Sequence, residues 1–157
     1  MDSVRSSELQ EVVQFLGPKK LEEIAQAIRD CDVGIIPNRR SIFTELNTPT
    51  RIFEYLSQGK PVIAPAAPGI LDYFGPHELV LFELGDADDL ATKIEYVFTH
   101  PVETLNVVER GQEVYRTHMW SSERSRFLSL AVGLLKGKEH SPTRAGKPTN
   151  AELGSTK

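Results

Sequence analysis

Three short runs carry only apolar residues: Val33-Gly34-Ile35-Ile36, Val62-Ile63-Ala64 and Leu79-Val80-Leu81-Phe82. A strand without a polar face has no side to turn to water, so it must be covered above and below. The segments between these runs have helical periodicity. In KKLEEIAQAIRD, Leu21, Ile24, Ala25 and Ile28 fall at i, i+3, i+4 and i+7, leaving Lys20, Glu22, Glu23 and Arg29 for water. Thr50 to Gln58 reads as a helix stopped by Gly59, and Ile70 to Phe74 as a brief one. Asp86 or Asp88 caps a helix bearing Leu90, Ile94 and Val97; Glu103 to Thr117 forms another; Ser121 or Ser122 caps a last one ending near Leu135. A further β-rich run, Val12 to Leu16, closed by Gly17-Pro18, is expected as the first of four strands. The order β-α-β-loop-α-β-α-β-α-α-α indicates an α/β fold, a parallel sheet flanked by helices.

With 157 residues and 39% apolar content the chain has room for one core. From Gly137 onward no aromatic residue occurs, so residues 1–136 are expected to form the domain and 137–157 a disordered tail. Eighteen Lys and Arg against 22 Asp and Glu give a net charge of -4, which argues against a dedicated nucleic-acid surface. The single cysteine, Cys31, excludes an intramolecular disulfide, suits a reducing compartment and is expected as a small core residue. Trp120 is expected to anchor the last helix in the core. His77, His100, His118 and His140 have no ligand spacing, so no metal site is expected. No apolar run has the ~18 residues of a transmembrane segment.

Ligands of a parallel α/β sheet bind beyond the carboxyl ends of its strands. Three segments belong there: Gly17-Pro18-Lys19, the loop Pro37 to Pro49, and the turn Pro65 to Gly69. The loop is the longest and leads straight into the helix at Thr50, a setting that suits a phosphate. Arg51 could meet that phosphate, and Glu54, a turn further on, could accept hydrogen bonds from sugar hydroxyls; from spacing alone, a solvated helix surface stays open for both. Arg39-Arg40 reads as a solvated basic pair. The chain has no G-x-G-x-x-G, no phosphate loop and no G-x-S-x-G elbow.

The segment CDVGIIPNRRSIFTELNTPTRIFEYLSQGKPVIAPAAPGI resembles the donor-binding, C-terminal half of retaining GT-B glycosyltransferases of family 4, glycosyl transferases group 1. Phe53 to Ala64 is similar to the family's E-x-x-x-x-G-K-P-V-I-A run, and Val13-Gln14-Phe15-Leu16-Gly17 to its V-x-F-L-G strand. Asp86 to Phe98 and Met119-Trp120-Ser121 resemble its later helix and final-helix entry, so the likeness spans about Val12 to Leu135. It implies a partial Rossmann-like parallel sheet. It also implies that Glu54 holds the ribose of a nucleotide-diphosphate sugar and that backbone amides around Thr48, Pro49 and Thr50, with Gly17 and Arg51, bind the donor. Glu54 matches the second of the family's two acidic residues; the first, which contacts the transferred sugar, would fall on Leu46, so Glu45 or Asn47 is implied as that contact.

The resemblance implies hexosyl transfer with retained anomeric configuration, without a cofactor or metal, on the cytoplasmic side or peripherally on the cytosolic membrane face. The family's first βα unit, its basic pair and the N-terminal acceptor domain fall outside the likeness. An N-terminally truncated chain is therefore expected, lacking two strands between Val12–Leu16 and Val33–Ile36 and transferring nothing alone. The alternatives are a non-catalytic remnant that binds nucleotide sugar or a partner chain, and an unrelated Rossmann-like domain.

Overall fold

A computed structural model of the chain describes residues 9–135. The expected tail, 137–157, lies outside the described residues. The chain divides into a unit ending at Thr117 and another beginning at His118.

In the first unit, helix α1 (Leu21–Asp30) precedes strand β1 (Gly34–Ile35), helix α2 (Ile42–Leu46), helix α3 (Arg51–Ser57) and strand β2 (Val62–Pro65). Helix α4 (Pro68–Leu71), strand β3 (Val80–Phe82), helix α5 (Ala87–Thr99) and helix α6 (Pro101–Thr117) complete it. The strands form a parallel sheet in the order β1-β2-β3, with Gly34 beside Val62 and Ile63 beside Val80.

The central strand β2 is buried along its whole length, as its wholly apolar sequence requires. Its alternating side chains feed two cores. Val62 and Ala64 join Ile52, Leu56, Ile70 and Phe74 on the face covered by α3 and α4. Ile63 joins Val80, Phe82 and Val97 on the face covered by α5. Each large side chain buried this way contributes about 1.5–3 kcal/mol. On the first face Gly111 lets α6 approach closely, since a Cβ there would stand 2.5 Å from the Glu78 carbonyl oxygen. Asp86 caps α5 by accepting from the amides of Asp88 and Asp89 at 3.0 and 2.9 Å.

Three expectations need correction. Val12–Leu16 forms no strand: a turn over residues 10–12 is followed by unpaired extended chain, with Val12 78% and Phe15 54% exposed. A strand exists only where a neighbour completes its ladder, and β1, the edge strand of the sheet, pairs with β2 alone. The Pro37–Pro49 segment is not irregular throughout, because Ser41 accepts from the Thr44 amide at 3.1 Å and nucleates α2. Cys31 is half-buried, its thiol donating to the Ile28 carbonyl at 3.2 Å.

The second unit contributes helix α7 (Trp120–Leu135). It buries none of its residues, and Trp120, expected in the core, is its exposed first residue.

Candidate functional site

Arg51 lines two cavities, the second of which opens at the carboxyl end of β1. The first, about 560 Å³, runs between α1 and α3 and is lined by Gly17, Lys19, Glu54 and Tyr55 above an apolar wall that includes Ile28 and Val33. The second, about 390 Å³, lies between the end of β1 and the α2 segment, with Asn38, Phe43, Asn47, Thr48, Pro49 and Thr50 around it.

The first cavity takes its shape from local backbone chemistry. Gly17 adopts φ +66°, a left-handed conformation that turns the chain from the extended segment towards α1. Tyr55 lies flat against Gly34, where a Cβ would collide with the ring. Burial pushes the Tyr55 phenol above its ordinary range; Cys31 and Glu54 add to the rise and Arg51 opposes it. Glu54 and Arg51 are exposed at the cavity mouth, and neither has an ion pair among the described residues.

The second cavity is built on a pinned loop. Thr48 donates its hydroxyl to the Gly69 carbonyl at 2.5 Å, and Gly69 has no side chain because a Cβ would stand 2.6 Å from the Leu46 backbone. Arg40 holds the other end: one guanidinium nitrogen donates to Glu45 at 3.0 Å, the other to Glu83 at 3.0 Å and the Leu84 carbonyl at 3.1 Å. The Thr48 and Thr50 amides take no partner among the described residues, while Pro49 has no N–H to offer.

Of the residues expected at a donor site, Gly17, Arg51 and Glu54 meet at the first cavity, and Asn47, Thr48, Pro49, Thr50 and Arg51 at the second. Glu45 lines neither; its carboxylate is paired with Arg40. Arg40, expected as solvated, is thus a bridging residue. Its partner 43 positions downstream has no local signal in the sequence. The approach of Tyr55 to Gly34 likewise has no local signal in the sequence. Among the described residues no group of three His, Cys, Asp or Glu side chains is placed to hold a metal ion, and no helix is long and apolar enough to cross a membrane.

The sequence profile of the glycosyl transferase-like family matches residues 5–129. The chain belongs to the glycosyl transferase-like family. The Bacillus subtilis (strain 168) protein named as teichuronic acid biosynthesis glycosyltransferase TuaH is 25% identical over 109 residues, covering 66% of this chain and 24% of its own length. Among solved structures, sucrose-phosphate synthase from Thermosynechococcus elongatus superposes with a TM-score of 0.73 at 22% identity, over 87% of this chain and 33% of that one. Anabaena HepE, solved with UDP-glucose, superposes at 0.71 and 19% identity, over 83% and 35%. These likenesses establish the GT-B, Rossmann-like character of the fold. The chain spans about a quarter of the length of the curated relative and a third of the solved structures.

Proposed function

We propose that this chain carries the donor-binding portion of a retaining glycosyltransferase and holds a nucleotide-diphosphate sugar across the two cavities. One observation carries the reading: Arg51, a cation without an ion pair among the described residues, lines both cavities. A diphosphate at Arg51 places the nucleoside in the larger cavity and the sugar in the smaller. Glu54 then accepts from the ribose hydroxyls beside Gly17, and the Thr48 and Thr50 amides, with Arg51, meet the diphosphate oxygens. Asn47 contacts the transferred hexose, because Glu45 is engaged by Arg40. Family membership and the UDP-glucose held by HepE support this assignment.

The chemistry asked of these groups is positioning and charge stabilisation. The bond from the anomeric carbon to the diphosphate breaks as the acceptor oxygen forms its own, and fixed donors at the departing oxygens lower that barrier. No protein-bound cofactor enters the scheme; the donor sugar is itself the substrate. An acceptor domain, which further polypeptide would supply, completes the enzyme. We place the protein on the cytosolic side, dissolved or peripheral at the membrane face, where a free thiol such as Cys31 persists.

A second reading, binding without transfer, uses the same two cavities and asks only that they hold the donor. Calorimetry with UDP, GDP and their sugars tests the shared part. Glu54→Ala is expected to weaken binding roughly 10- to 100-fold, the worth of a charge-assisted hydrogen bond. No binding by the wild-type chain sinks both readings, and turnover of a labelled donor sinks the second.

A further inference from the structure

The end of the α2 loop that carries Asn47 is held by a side chain outside both cavities. Arg40 reaches three acceptors: the Glu45 carboxylate on α2, and the Glu83 carboxylate and Leu84 carbonyl just beyond β3. The Leu84 carbonyl is the firm anchor of the three, while the Glu83 carboxylate is 65% exposed. Leu84 is 4% exposed, and the Glu83 amide is itself tied to Asp89 in the first turn of α5 at 2.8 Å. The planar guanidinium suits this fork, since its donors diverge at fixed angles that an ammonium lacks.

Resting on the donor-site reading above, we infer that Arg40 is a positioning residue for the sugar half of that site. By fixing Glu45 to the end of β3 it sets, together with the Leu46 backbone packed on Gly69, where Asn47 stands in the cavity. The diphosphate half has its own tether, because Thr48 is bonded directly to Gly69. Losing Arg40 therefore separates the halves: the Glu45–Asn47 stretch loosens while Thr48 to Arg51 stay in place. The side chain is 56% exposed, so its ion pairs contribute little to global stability and its effect is local.

Arg40→Ala in the full chain tests this by calorimetry with UDP-glucose and UDP. UDP-glucose is expected to bind about 10-fold more weakly and UDP less than about 2-fold, as for a contact displaced at one end of a ligand. The melting temperature is expected to shift by less than about 2 °C. Arg40→Lys, which cannot reproduce the fork, restores only part of the UDP-glucose affinity. Equal losses for both ligands, or none where the wild type binds both, overturn the inference and leave the donor site standing. A wild-type chain that binds neither ligand overturns the donor reading. Amide exchange decides separately: residues 42–47 are expected to exchange faster in Arg40→Ala while 62–65 do not, and unchanged exchange at 42–47 overturns the clamp whatever binds.

Discussion

Residues 9–33 and residues 34–97 have the same kind of sequence, a β-rich apolar run followed by amphipathic helix, and opposite fates. Val62 and Ile63 are 1% and 0% exposed, whereas Val12 and Leu21 are 78% and 76% exposed. Both α1 and α3 place apolar residues at helical spacing, yet α3 buries Ile52 and Leu56 completely while α1 buries only Ile28. The difference lies in neighbours. β2 has a parallel partner on each side and helices on both faces; the Val12–Leu16 run has no paired strand. An apolar pattern offers a surface for burial, and stability arises only where something covers it.

Substitutions in the two regions should expose this difference, beginning with the largest effect. Ile63→Ala, at the centre of β2, is expected to cost about 2–5 kcal/mol by lost transfer energy and a cavity, whereas Leu21→Ala stays within about 0.5 kcal/mol. Urea unfolding of both variants checks the contrast, and comparable losses would break it. Gly34→Ala sits where the regions meet: its methyl group drives into the Tyr55 ring, with an expected cost of about 1–3 kcal/mol and weaker nucleotide binding. Asp86→Ala removes the cap of α5, and thermal unfolding should register about 1 kcal/mol.

The smallest effect concerns pH. The Tyr55 phenol titrates higher in the folded chain than its ordinary value of about 10. Between those two values the unfolded chain has already lost the proton that the folded chain keeps, so stability falls with rising pH. Its contribution is complete below about pH 10 and declines through the raised folded value. Tyr55→Phe should flatten that decline in urea midpoints measured across alkaline pH; an unchanged slope would remove Tyr55 as its source.

Of the residues proposed for a donor site, local sequence groups those that lie next to one another in the chain. Thr48, Pro49, Thr50 and Arg51 line the second cavity, while Gly17 joins Arg51 and Glu54 at the first although no strand precedes it. Glu45 and Asn47 could not be separated by position, since they are two residues apart; in the structure Glu45 is paired with Arg40 and Asn47 lines the second cavity. Trp120 shows the limit from the other side. Its size suggests a core anchor, but size does not say what stands opposite.

The sequence by itself determined the parallel α/β layering, narrowed the α5 cap to Asp86 or Asp88, and set Glu54 one turn into α3. Each follows from short-range spacing and side-chain type, information local to a few residues. Tertiary structure decided that Val12–Leu16 joins no strand among the described residues and that Arg40 reaches Glu83 across 43 positions. It also decided that Tyr55 rests on Gly34. Those outcomes depend on which surfaces the folded chain brings together, and no local pattern carries that.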